Sequence, residues 1–183
     1  MTTYISILRG INVSGQKLIK MEALRKSYEK LDFLNIMTYL QSGNIVFTSK
    51  KSSTTALAQL IKEQIEKDFG FAIPTLVLTI EELQQIMDSN PFAKDKDNTF
   101  LHITFLFANP QKFDTSIIEG KKINGEEIYI ATNAVYLYCP NGYGKSKMNN
   151  NFLETKLKVI ATTRNWKSSN EILKIAQENI KLS

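Results

Sequence analysis

The order strand, helix, strand, strand, helix, strand can be read twice along this 183-residue chain. In the first pass Tyr4 to Leu8 is a β-rich run, and Met21, Leu24, Tyr28 and Leu31 recur at helical spacing. Ile36 to Leu40 and Asn44 to Thr48 follow as strands, joined by Gln41-Ser42-Gly43, where glycine supplies the positive φ of a tight turn. Leu57, Leu60, Ile61, Ile65 and Phe69 mark a second helix that Gly70 ends, and Thr75 to Leu78 is the fourth strand. Thr79 opens a short helix with Glu81 and Glu82 in its first turn, broken at Ser89-Asn90-Pro91. The second pass begins with a strand from His102 to Phe107 and a helix from Gln111 to Glu119. A hairpin across Thr132-Asn133 joins Glu127 to Ala131 with Ala134 to Tyr138. Ser146 to Leu157 is then a helix, Val159 to Thr162 a strand, and Ser168 with Glu171 predicts a capping box for a last helix over about 169–180.

This pattern predicts an α+β protein of two tandem ferredoxin-like (α/β-plait) subdomains, residues 1–90 and 91–183, the second with an added C-terminal helix. No sequence repeat accompanies the repeated pattern. Pockets favour domain interfaces, so a cleft between the subdomains is the expected ligand site.

Composition narrows the class. The apolar fraction of 43% and charged fraction of 22% are those of a folded, soluble protein. No apolar run approaches the roughly 20 residues that span a bilayer, and Met1-Thr2-Thr3-Tyr4 lacks the basic start of a signal peptide. The single cysteine, Cys139, excludes an internal disulfide, and one His with one Cys cannot build a His/Cys zinc site. A bacterial-type cytoplasmic protein with no metal, no cofactor and no membrane partner is expected. The net charge of +5 permits contact with nucleic acid or phosphorylated ligands without requiring it.

The placement of arginine is more specific. Of 23 basic residues only Arg9, Arg25 and Arg164 are arginine, and two of these lie in polar segments that interrupt apolar strands. A chain that uses lysine elsewhere has kept its planar, always-charged fork where bidentate recognition is useful. Arg9 and Asn12 leave strand 1 in a loop with Gly10 and Gly15, whose backbone N–H groups can face an anion. The plain alternative is that Arg9 pairs locally and Asn12 caps a turn. Gln41, Ser42 and Asn44 offer donors and acceptors around the first hairpin, though such clusters often only satisfy turn backbone. Arg164 can clamp a carboxylate or phosphate, beside Asn165, and Trp166 can stack on a ring or plug a subdomain boundary.

Cys139-Pro140-Asn141-Gly142-Tyr143-Gly144-Lys145-Ser146 invites comparison with the phosphate-binding G-x-x-x-x-G-K-[ST] loop. Cys139 replaces the first glycine, and Pro140 removes a donor where the loop needs donors. The weaker expectation is that Gly144, Lys145 and Ser146 hold an anion at a helix start. Catalytic machinery is thin: His102 lies in an apolar strand and reads as structural, and no nucleophilic triad can be assembled. The aromatic pattern of sheet-based RNA readers is missing, since the strand from Asn44 to Thr48 has only Phe47.

Four segments, Leu8-Arg9-Gly10-Ile11-Asn12-Val13, Tyr39-Leu40-Gln41-Ser42-Gly43-Asn44-Ile45-Val46-Phe47, Gly144-Lys145-Ser146-Lys147 and Ala161-Thr162-Thr163-Arg164-Asn165-Trp166, resemble the signature segments of a bacterial domain of unknown function family, DUF1697. The resemblance runs from Tyr4 to about Ile180. It departs at Ser14, where the family usually has Gly, and at Met148, where it usually has Leu. It implies a duplicated ferredoxin-like fold and no established activity, substrate or cofactor.

Three readings of function remain open. In the first, the chain is a binding protein for a nucleotide, a nucleic-acid end or a phosphorylated metabolite. Its site would use Arg9, Asn12, Gln41, Ser42, Asn44, Lys145, Ser146, Arg164, Asn165 and Trp166. In the second it is an enzyme on such a substrate. In the third, the polar segments lock the subdomains together and hold no ligand.

Overall fold

The computed structural model describes residues 1–182. Packing divides the chain into two units: Met1–Gln85 together with the chain from Glu171 onward, and Ile86–Asn170. This differs from the division 1–90 and 91–183 expected above. Hydrogen bonds account for the return of the last residues to the first unit. Asn179 Nδ2 donates to Asn35 O at 2.8 Å, Asn35 Nδ2 donates to Leu182 O at 3.1 Å, and Gln177 Nε2 donates to Gln84 Oε1 at 3.3 Å.

The first unit runs β1 (Thr2–Leu8), α1 (Met21–Glu29), β2 (Leu34–Tyr39), β3 (Asn44–Ser49), α2 (Thr54–Phe69), β4 (Thr75–Thr79) and α3 (Ile80–Asp88), the last of which crosses the boundary at Gln85. Its sheet has the order β2-β3-β1-β4 and every pairing is antiparallel. Tyr4 and Leu8 of β1 and Ile45 and Phe47 of β3 face Leu24 and Tyr28 of α1 and Leu57, Ile61 and Ile65 of α2 in one core. Local chemistry sets the helix ends. Ser53 Oγ accepts the Ala56 N–H at 3.2 Å to open α2. Gly70, at φ 78, closes it in the left-handed conformation. Thr79 and Glu82 form a reciprocal capping box at α3, each accepting the other's backbone N–H.

The second unit runs β5 (Leu101–Leu106), α4 (Thr115–Glu119), β6 (Glu127–Ile130), β7 (Ala134–Tyr138), α5 (Asn150–Leu157), β8 (Ala161–Asn165) and the start of α6 (Trp166–Asn179). Its sheet order, β6-β7-β5-β8, repeats that of the first. The repeat holds residue by residue. Leu8 N–H donates to Gly43 O and Leu106 N–H to Asn133 O; Arg9 N–H donates to Pro74 O and Phe107 N–H to Ile160 O. Tyr4 faces Thr79 in one ladder where His102 faces Asn165 in the other. The core on the helix side comprises Leu106, Val135, Leu137, Met148, Leu153 and Leu157.

Four expected boundaries in this unit are corrected. Helix α4 covers Thr115–Glu119 and not 111–119, because the Gln111 N–H bonds Leu157 O at 3.1 Å and Asp114 Oδ1 takes the Ser116 N–H at 2.9 Å as the cap. Helix α5 starts at Asn150 and not Ser146, because Asn149 Oδ1 takes the Phe152 N–H at 3.0 Å. Strand β8 extends to Asn165 and not Thr162, since Thr163, Arg164 and Asn165 pair with Thr104, Ile103 and His102. Helix α6 starts at Trp166 and not 169, because Asn165 Oδ1 accepts the Ser168 N–H at 2.7 Å and pre-empts the Ser168 cap. Among the described residues no helix is long and apolar enough to cross a membrane.

Candidate functional site

In the first unit the polar segments meet at one end of the sheet. Asn12, in the left-handed region at φ 54, donates from Nδ2 to Ile19 O at 3.0 Å and Gln41 O at 2.8 Å, and accepts the Ile19 N–H on Oδ1 at 2.8 Å. Both ends of the amide are therefore engaged with backbone. The clasp holds a small hairpin in which the Gln16 N–H donates to Val13 O at 3.0 Å across Ser14 and Gly15, both at positive φ. Two central residues with φ > 0 are the signature of a type I′ turn. Asn44 is buried, and its Nδ2 donates to Tyr39 O at 3.0 Å and Ser42 Oγ at 2.9 Å, so Ser42 and Asn44 brace the hairpin from inside. Gly43 is required there: a Cβ on it would lie 2.7 Å from Leu8 Cβ and 2.9 Å from Ile11 Cδ1. Gln41 is exposed, and Arg9 is half-buried with its backbone N–H on Pro74 O.

The second unit separates its polar candidates. Residues alternate faces along a strand. Arg164, opposite Ile103, therefore points to one side of the sheet and Thr163, opposite Thr104, to the other. Arg164 is buried at 8% exposure, and its Nη1 donates to Thr162 Oγ1 and to Thr163 O, each at 2.9 Å. Lys145 is exposed at the end of a short 3-10 turn, Tyr143–Lys145. Gly144, Lys145 and Ser146, expected at a helix start, lie instead in or directly after this turn, ahead of α5. The Gly142, Lys145 and Ser146 N–H groups donate to Cys139 O, Gly142 O and Tyr143 O, and Ser146 Oγ accepts the Met148 N–H at 3.1 Å. Three of the loop's N–H groups are thus bonded within it, and the helix it was expected to open begins at Asn150. Burial pushes the neighbouring Cys139 thiol up to about 11, with Glu126 adding to the effect, so it stays protonated and unreactive at neutral pH.

Two features lay beyond sequence reasoning. The first is a polar cluster on the α5 side of the second sheet. Thr163 Oγ1 bonds Thr104 Oγ1 at 2.7 Å, accepts from Tyr143 Oη at 3.1 Å and donates to Asn150 Oδ1 at 2.6 Å. The His102 ring stacks on Tyr143 with centroids 4.7 Å apart and planes at 19°. His102 Nδ1 lies 3.3 Å from Phe100 O, and a carbonyl can only accept, so Nδ1 carries the proton. Burial holds the His102 pKa below the ordinary value, which favours this neutral form.

The second is a pocket of about 330 Å³ lined by Asn98, Thr99, Asn165, Trp166 and Lys167. Asp97 shapes its wall by accepting the Thr99 N–H on Oδ1 at 2.9 Å. Those Thr99 hydrogen bonds hold the Asp97 carboxyl below the usual range, so it is ionised. Of the residues expected in a site, Asn165 and Trp166 come together here. No periodicity marks Asn98 or Thr99, which reach the pocket only because β5 and β8 pair. Among the described residues no cluster of His, Cys, Asp and Glu could hold a metal ion.

Residues 1–136 match the family described as "Protein of unknown function (DUF1697)". No curated protein matches the chain. The solved structure of the conserved bacterial protein SP0830 from Streptococcus pneumoniae is similar over 97% of this chain and 99% of that one, with a TM-score of 0.74 and 22% identity. Likeness at that identity shows the fold.

Proposed function

This chain belongs to the DUF1697 family, and we propose that it binds a small anionic ligand bearing a planar ring, of the nucleotide class, in the Trp166 pocket. The observation that carries this reading is the composition of that pocket: one indole, one ammonium and three short polar side chains around about 330 Å³. The volume lies at the small end of ligand sites, which run from roughly 300 to 1,000 Å³. An indole face stacks on any flat ring, contributing about 1–3 kcal/mol per base where this has been measured. Lys167 is the charged lining residue and takes the anionic end. The first turn of α6 adds N–H groups with no partner inside the helix. The repeat supplies a contrast: where this unit has Asn165-Trp166-Lys167, the first unit has Thr79-Ile80-Glu81, which offers neither ring nor cation.

A ferredoxin-like assignment for each unit belongs to the same proposal. The element order and the strand order 2-3-1-4 within each unit support it.

Trp166 is the single tryptophan, so its emission reports this pocket alone. Adenosine monophosphate is expected to change that emission saturably, and more tightly than adenosine, which lacks the anion, or ribose 5-phosphate, which lacks the ring. Lys167→Ala is expected to weaken the monophosphate and leave adenosine unaffected. No saturable change with any of the three would overturn the reading.

A further inference from the structure

We infer that His102 and Asn165 form an acceptor–donor pair that reads the hydrogen-bonding edge of a nucleobase whose face lies on Trp166. This rests on the pocket reading above and gives its ligand a chemical identity: a base edge with a hydrogen-bond acceptor beside a donor, as in adenine or cytosine.

The two residues are directly opposite each other in the β5–β8 ladder. Side chains opposed in this way share a face of the sheet, with Cβ atoms about 4.5–5.5 Å apart. Asn165 lines the pocket, and His102 stands beside Asn165 on the same face of the sheet. Each side chain has one polar atom assigned to structure and one left over. Asn165 Oδ1 is occupied by the Ser168 N–H, which leaves Nδ2, a donor. His102 Nδ1–H points to Phe100 O, which leaves Nε2, an acceptor. Among the described residues neither remaining atom has a partner.

The imidazole is also held still. One face lies on the Tyr143 ring, and Tyr143 is fixed by its hydroxyl on Thr163 Oγ1, itself tied to Thr104 and Asn150. A restrained ring presents Nε2 in one direction, which costs little further order when a ligand arrives. A neutral imidazole acceptor suits the donor end of a ligand and not its phosphate, so the anion lies toward Lys167 and the base edge toward β5. The pair exists in one unit only, since the equivalent residues of the first unit are Tyr4 and Thr79.

The test compares adenosine monophosphate with purine riboside 5′-monophosphate, which keeps ring, sugar and phosphate and lacks only the exocyclic amine. Affinity is read from Trp166 emission. Removing the donor that meets Nε2 is expected to weaken binding roughly tenfold. His102→Phe, which keeps a flat ring against Tyr143, is expected to make the two ligands equal. His102 is the single histidine, so its ring ¹⁵N resonances need no assignment. The unliganded protein is expected to show the Nδ1–H tautomer, with Nε2 shifting when adenosine monophosphate binds.

Equal affinities in the unsubstituted protein would overturn the His102 assignment while leaving the Trp166 pocket standing. So would an Nε2–H tautomer in the free protein, whatever the variant does. Absence of any Trp166 response would instead overturn the pocket reading, and this inference with it.

Discussion

Asn12 and Ile19 hold each other by both ends of one amide: Oδ1 accepts the Ile19 N–H at 2.8 Å, and Nδ2 donates to Ile19 O at 3.0 Å. The same Nδ2 reaches Gln41 O, so one side chain ties the loop after β1 to the first hairpin. Asn12→Asp keeps the acceptor and loses the donor. It is expected to destabilise by about 2 kcal/mol, since two backbone carbonyls lose their partner and face a carboxylate. Urea unfolding followed by circular dichroism checks this; unchanged stability would show that the clasp is dispensable.

Gly43 meets two demands that no other residue meets together. Its φ of 77 lies in the left-handed region, and a Cβ there would press on Leu8 Cβ at 2.7 Å. The backbone alone costs about 1–2 kcal/mol for an L-residue, and overpacking adds about 1–3 kcal/mol. Gly43→Ala is therefore expected to lose about 2–5 kcal/mol, with Gly10→Ala, where a Cβ meets nothing within 4 Å, losing only the backbone part. Equal losses in the two variants would discount the close approach to Leu8.

Asp68 should dominate acid sensitivity in the first unit. Burial raises its pKa, but hydrogen bonds from Lys30, Ser27 and Gln64 outweigh that effect and hold the carboxyl at about 2 against an ordinary 3.8. A depressed carboxylate stabilises the fold fully above its unfolded value and loses that contribution as pH falls through the folded one. The stability gap between the parent protein and Asp68→Asn is thus expected to be constant above pH 3.8 and to shrink towards pH 2. A gap that did not change over that window would mean the three partners do not act through the charge.

Asn165 separates folding from binding. Asn165→Ala removes the α6 cap and is expected to cost about 1 kcal/mol. Asn165→Asp keeps an oxygen for the Ser168 N–H and places a favourable negative charge at the helix start. It lacks the Nδ2 donor, however, and repels anions. Thermal unfolding is expected to leave the Asp variant at parental stability, while Trp166 emission shows its nucleotide response lost. A variant that binds like the parent would remove Asn165 from the site.

The element order, both hairpins and the Gly70 stop were legible because each rests on neighbours in sequence: periodicity, turn chemistry and a left-handed cap. The expectations that failed did so where two local signals competed. Ser168 and Asn165 could each cap α6, and Asn165 prevailed because its oxygen meets the Ser168 N–H. Ser146 was a plausible helix start, but the turn before it bonds to itself and Asn149 caps the helix instead. The polar segments were visible as unusual, yet their roles were not. Asn12 and Asn44 donate to backbone carbonyls, and Ser42 Oγ accepts from Asn44 Nδ2.

By itself, then, the sequence determined the repeated α+β pattern and the identity of its turns, because φ preference and hydrophobic spacing act over a few residues. Tertiary structure alone decided which polar atoms are left over. His102 read as one more residue in an apolar strand. Only the register of β5 with β8 puts it beside Asn165, and only Phe100 O and Ser168 N–H determine which atom of each side chain is engaged and which is left over. Strand register depends on contacts among residues about sixty positions apart, and no local pattern in the chain encodes them.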